Sequence, residues 1–103
     1  PVVELHTGIY CNTEVGSSER AKALAKIGEA ALHAEELGLE CHAGHGLSFE
    51  TVEPIAAIPS IVELNIGHFL IGEAIFAGLE TTISRMRKML NNARANIVDD
   101  RST

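Results

Sequence analysis

Leu39-Glu40-Cys41-His42-Ala43-Gly44-His45-Gly46 starts as a strand and ends as a glycine-bracketed loop carrying histidine. Gly44 and Gly46 let the backbone around His45 take conformations closed to other residues, and let a ligand come close. His45 is therefore expected to be presented to solvent rather than packed. Its side chain can give or take a proton near neutral pH, or bind a metal.

Two other stretches repeat the pattern. Val3-Glu4-Leu5-His6-Thr7-Gly8 aligns with Leu39-Glu40-Cys41-His42-Ala43-Gly44, and Val62-Glu63-Leu64-Asn65-Ile66-Gly67 aligns with both, with His68 following its glycine. The shared order is apolar, Glu, apolar, His or Asn, small or apolar, Gly. Strand side chains alternate between faces, so Glu4 and His6 share a face, as do Glu40 and His42, and Glu63 and Asn65. The bland alternative is polar core residues satisfied one by one. Three parallel matches argue against it.

Between these strands the pattern is helical. Residues 2–7 read as a strand ending at Gly8, and residues 9–16 as a loop. Ser17 or Ser18 caps a helix reaching about Leu37, with Glu19 suited to its positive first turn. Leu24, Ile27, Ala31 and Ala34 form its apolar stripe, widened by Ala23, Ala30 and Leu37. Lys22, Lys26, Glu29, His33 and Glu36 form a wet face, and Gly38 ends the helix in a left-handed conformation. Residues 39–43 make the second strand. Ser48 or Thr51 caps a short helix over residues 52–58, which tolerates Pro54 in its first turn and stops at Pro59. Residues 60–66 make the third strand.

Gly67-His68 opens a helix that is apolar almost all round through Ala77. Such a helix must be buried or lie across the end of another element. Gly72 permits close packing and Gly78 breaks it. A last helix spans about residues 80–95 with Ile83, Met86, Leu90 and Ala93 inward, and Arg85, Arg87, Lys88 and Arg94 in solvent. Residues 99–103 read as a frayed tail.

Strands alternating with helices indicate parallel βα units, because the crossovers are too long for hairpins. In such folds sites form at the carboxyl ends of strands, where each polar triplet falls, so the three motifs should converge on one site. The third adds Gly-His at the start of an additional helix, which is how many (β/α)₈ barrels hold phosphate near their last strands.

Composition narrows the rest. The chain has 103 residues and a net charge of -6, enough for one domain with a modest core. The acidic balance argues against a general nucleic-acid surface, which needs clustered Lys and Arg, but leaves small phosphorylated ligands open. No apolar run is long enough to span a membrane, and no signal peptide is visible. Cys11 and Cys41 show no metal-type spacing; Cys41 reads as a small core residue, and a reduced, cytoplasmic protein is the expectation. The chain opens on Pro1 rather than Met, as expected of a processed, trimmed or engineered sequence.

Glu-Leu-His-Thr-Gly at 4–8, Ala-Gly-His-Gly-Leu at 43–47, Ile-Ala-Ala-Ile-Pro at 55–59 and Glu-Leu-Asn-Ile-Gly-His at 63–68 together resemble the pyridoxine 5′-phosphate synthase family. The resemblance covers nearly the whole chain. It implies strands six, seven and eight of a (β/α)₈ TIM barrel, so that residues 1–103 form a single partial domain. The implied reaction condenses 3-amino-2-oxopropyl phosphate with 1-deoxy-D-xylulose 5-phosphate to pyridoxine 5′-phosphate in vitamin B6 biosynthesis. Inorganic phosphate and water are released, and no metal or organic cofactor is needed. By the same resemblance His45 is the proton donor and Glu4 a charge-stabilising carboxylate. Gly46, Gly67 and His68 bind the amino-ketone phosphate. Full-length members assemble as octamers, so a homo-oligomer is expected. The family's remaining catalytic groups lie earlier in the barrel, and the isolated chain is expected to be inactive and to aggregate or associate.

Three other readings fit parts of the pattern. His6, His42, His45 and His68 with Glu4 and Glu63 could converge on zinc, although no short anchor pair is present. A barrel fragment that only assembles with a partner chain needs no chemistry of its own. Another phosphate-binding barrel enzyme explains the third strand but leaves Ala-Gly-His-Gly unexplained.

Overall fold

A computed structural model describes the backbone of residues 1–102 and the side chains of residues 1–95. Strands β1 (Val2–His6), β2 (Glu40–Gly44) and β3 (Ile61–Asn65) form a parallel sheet in the order β1-β2-β3. The helices are α1 (Gly8–Cys11), α2 (Ser18–Glu36), α3 (Val52–Ala56), α4 (Gly67–Ala77) and α5 (Leu79–Ser102). The expected α/β architecture of parallel units is present.

The ends of α2 follow from its sequence. The Ser17 hydroxyl accepts the Arg20 N–H at 3.1 Å, satisfying one of the donors that a helix start leaves free. At the other end Gly38 has φ of 75°. Its N–H donates to Glu35 O at 3.0 Å, and that of Leu39 to Ala34 O at 2.9 Å, the two bonds of a Schellman ending. The chain is thereby turned directly into β2.

One face of the sheet is dry. Ile27, Ala31 and Ala34 of α2 pack with Cys41 and Ala43 of β2, Ile61 of β3, Ile55 of α3, Leu47 and Tyr10. The small residues Ala31, Cys41 and Ala43 let the helix lie close to the middle strand, where each methyl group withdrawn from water adds a little stability. Burial pushes the Cys41 thiol above its ordinary range, as suits a packing residue.

Several expectations are corrected. Residues 8–11 are helical rather than loop, because Tyr10 is drawn into the core and its hydroxyl donates to Thr51 O at 3.0 Å. Ala30 and Leu37 are exposed and do not widen the buried stripe of α2. In α5 Met86 and Ala93 are buried as expected, but Ile83 is 42% exposed and Thr82 takes the inward place, its hydroxyl donating to Gly78 O at 2.8 Å. Arg94 is partly buried, reaching the carbonyls of Pro59 and Ile61, and so pins α5 to the start of β3. Helix α5 also continues to Ser102, past the expected end at Ala95 and through most of the expected tail; Thr103 lies outside the described residues.

The largest correction is α4. None of its residues is buried, and Ile71, Ile75 and Phe76 are 69%, 78% and 89% exposed. It packs along α5, and Phe49 meets its first turn at Phe69, but Ile71, Ile75 and Phe76 are left open among the described residues.

Candidate active site

The wet face of the sheet is built by register. Glu4 lies beside His42 and His6 beside Gly44, while His42 lies beside Glu63 and Gly44 beside Asn65. The three motifs are thus staggered by two residues at each step, so no glutamate of one motif sits beside the glutamate of the next. A bulge after Ile61 makes this possible. Ile61 pairs with Cys41, yet Glu63 pairs with His42, leaving Val62 as the extra residue. Strand side chains alternate, so without the bulge Glu63 and Asn65 would face the core.

Gly44 sits in the middle strand between Glu4 and Asn65. Asn65 Nδ2 donates to Glu4 Oε1 at 2.9 Å, across the position where Gly44 has no side chain. A Cβ there would stand 2.8 Å from both Asn65 Cβ and Glu4 Oε1. Glycine at this position is a requirement of contact, not of backbone freedom.

The backbone freedom is needed one residue later. His45 itself has φ of 90°, and Gly46 follows at 79°. The expectation that the flanking glycines carry the unusual conformation is corrected to this extent: the histidine carries it too, at a cost of roughly 1–3 kcal/mol. Thr7 holds it there. Its fully buried hydroxyl lies 2.8 Å from Gly44 O and 2.7 Å from His45 O, and its N–H donates to Gly44 O at 2.8 Å. The end of β1 therefore clamps the loop that leaves β2. The His45 side chain is exposed, as expected, and stacks on His6 with ring centroids 4.1 Å apart and planes 30° apart.

Beyond the sheet the chain enters α4 with no side-chain cap at Ile66. Leu70 N–H is the first to find a helical partner, Ile66 O at 3.2 Å, so the N–H groups before it are those a helix start leaves for a ligand. Apart from its chain neighbours and its own helix backbone, no atom lies within 4 Å of where a Gly67 Cβ would be, so the approach is open. Phe49, in the segment after His45, meets Phe69 edge to face at 4.8 Å, and the Arg85 guanidinium lies 3.9 Å over the Phe49 ring. Arg85 of α5 is exposed, as expected, while its guanidinium covers the outer face of that loop ring.

A cleft of about 710 Å³ opens between these elements, lined by Glu4, His6, His45 and Gly46 on one side and Asn65, Gly67 and His68 on the other. All five residues singled out from the sequence, Glu4, His45, Gly46, Gly67 and His68, meet there. His6 and Asn65 belong with them; their place in the repeated motif was the signal. Thr7 gave no sequence signal, since its work is a buried contact to another strand.

The motifs converge only in part. Glu40, His42 and Glu63 form a separate cluster below the cleft, with His42 Nε2 2.6 Å from Glu40 Oε2 and Nδ1 2.8 Å from Glu63 Oε2. Among the described residues no group of three or more His, Cys, Asp or Glu is arranged to hold a metal ion. Nor is any described helix long and apolar enough to cross a membrane.

The family model for "Pyridoxal phosphate biosynthesis protein PdxJ" matches residues 1–92. This chain belongs to that family. Among similar proteins, a pyridoxine 5′-phosphate synthase of Rhodospirillum rubrum is 62% identical over 93 residues, covering 90% of this chain and 37% of the relative. Those of Roseobacter denitrificans and Caulobacter vibrioides are 55% and 57% identical, over 91% and 93% of this chain and 39% of each relative. The chain thus spans about two-fifths of the length of these curated relatives. The family implies a TIM barrel, of which the three-stranded parallel sheet is a part.

Proposed function

We propose that this chain forms strands six to eight of a (β/α)₈ pyridoxine 5′-phosphate synthase and carries one wall of its active site. The observation that supports this most is the meeting of Glu4, His45, Gly46, Gly67 and His68 in one cleft at the strands' carboxyl ends. The reaction is the condensation of 3-amino-2-oxopropyl phosphate with 1-deoxy-D-xylulose 5-phosphate, which requires imine formation, loss of water and phosphate, and several proton transfers. His45 is exposed and held by Thr7 where it can donate a proton; positioned acids of this kind contribute ~10²–10⁴-fold. Glu4, oriented by Asn65, opposes positive charge developing on nitrogen. The amino-ketone phosphate sits on the backbone of Gly46, Gly67 and His68, facing the positive end of α4. The chemistry is assigned to side chains and backbone alone, with no cofactor.

The same proposal makes the chain by itself inactive. Strands β1 and β3 are edges of a three-stranded sheet, and unpaired edges invite other chains. The open apolar face of α4 adds to this. The full-length protein is proposed to be a cytoplasmic homo-oligomer, in keeping with the free thiols of Cys11 and Cys41. A turnover assay with both substrates, on the chain alone and on a full-length synthase carrying this sequence, tests the reading. Turnover is expected from the second only, with light scattering showing the first to be associated. An active, monodisperse chain would overturn the fragment reading, and an inactive full-length protein the synthase reading.

A further inference from the structure

His6 is the one imidazole in the cleft whose tautomer the backbone dictates. The Gly8 N–H donates to His6 Nδ1 at 3.2 Å. A backbone N–H can only donate, so Nδ1 keeps its lone pair and the ring's proton resides on Nε2. Only glycine admits this contact at position 8: a Cβ there would stand 2.6 Å from His6 Cε1 and 3.0 Å from Nδ1. While the bond stands, the ring is neutral and cannot turn over. Its face lies against His45, centroids 4.1 Å apart.

We infer that His6 is the positioning residue for His45, a neutral aromatic platform that fixes the plane of the neighbouring ring. The inference rests on the proposed role of His45 as proton donor. Two imidazolium rings at this distance would repel, whereas the face of a neutral ring attracts a cation. Thr7 fixes the backbone of His45 but leaves χ1 and χ2 free. His6 is stacked on the ring itself. A proton donor loses rate steeply when misplaced, so a group that holds the ring acts on turnover rather than on substrate affinity.

Two substitutions in a full-length synthase separate the platform from the hydrogen bond. His6→Asn keeps an acceptor near Gly8 N–H and removes the face; His6→Phe keeps a face and removes the acceptor. The expected result is a fall in kcat of about tenfold or more for His6→Asn with KM little changed, and recovery of most of that loss in His6→Phe. Wild-type kcat in a folded His6→Asn protein overturns the inference. So does an equal loss in both variants, or a loss expressed in KM. Long-range ¹H–¹⁵N correlation on the wild-type protein provides a readout independent of turnover and of any variant's folding. A lone-pair-bearing Nδ1 on His6 is expected, and a protonated Nδ1 overturns the inference. If the wild-type protein shows no turnover, the synthase reading falls, and the spectrum still decides the state of His6.

Discussion

Glutamate and histidine meet twice on the wet face of this sheet, with opposite outcomes. In the lower cluster both ring nitrogens of His42 are taken up by the carboxylates of Glu40 and Glu63. In the upper cleft Glu4 is held by Asn65, and His45 is held through its backbone and its ring face. One arrangement spends its polar groups on each other. The other holds Glu4 by one carboxylate oxygen only, and leaves the ring nitrogens of His45 without a hydrogen-bond partner among the described residues. Residue type is the same in both places. What distinguishes a candidate site from a structural cluster is which atoms the protein has left unsatisfied, and a residue in a costly backbone conformation beside them.

The sharpest way to break this contrast is at His45. In a full-length synthase carrying this sequence, His45→Gln is expected to lower turnover by about 10²-fold or more while leaving the fold intact. His45→Gly is expected to lose activity equally and yet keep or raise the melting temperature, because glycine relieves the strain at φ of 90°. Steady-state kinetics and thermal unfolding on the two variants would show this. A folded variant with near-normal turnover would remove His45 from the mechanism.

Thr7 carries the next largest effect. Thr7→Val keeps the shape and removes the hydroxyl donor shared by two carbonyls. A loss of stability of about 1–2 kcal/mol is expected from the lost hydroxyl hydrogen bonding, although Gly44 O keeps the Thr7 N–H. Turnover should also fall about tenfold as the His45 backbone loosens. Thr7→Ser should restore both, because it restores the hydroxyl. A Thr7→Val enzyme that is less stable but fully active would mean that the clamp serves the fold alone.

The difference between the two clusters was only partly legible in the sequence. Periodicity places the helices and strands, and the Schellman ending at Gly38 is written in local residues. The repeated motif brings Glu4, His6 and Asn65 to one end of the sheet. It also suggests that Glu40, His42 and Glu63 belong to the same site, and that suggestion fails for a reason no single strand contains. The two-residue stagger and the bulge at Val62 arise between strands, and they decide which polar groups neutralise one another. The helical turn at residues 8–11 was hidden for a similar reason, since Tyr10 is drawn inward by a partner 41 residues away. Helix α4 is the opposite case. Its composition calls for cover on all sides, and the described residues leave Ile71, Ile75 and Phe76 exposed. The missing information there belongs to whatever surface packs against Ile71, Ile75 and Phe76.

The smallest effect is expected from the lower cluster, and it sharpens the contrast most directly. His42 has little exposed side chain, 16%, but its partners Glu40 and Glu63 are 54% and 58% exposed, so water screens the pair. His42→Leu leaves two carboxylates near each other without the ring between them. Because both are half in water and can turn outward, the cost should stay at about 1 kcal/mol or less. Turnover should not change, since none of the three residues lines the cleft. Urea unfolding followed by the same kinetic assay separates the two quantities. If His42→Leu lowers kcat as far as Thr7→Val does, the lower cluster is coupled to the cleft through the Glu4–His42 register, and the division between a closed cluster and an open site is wrong.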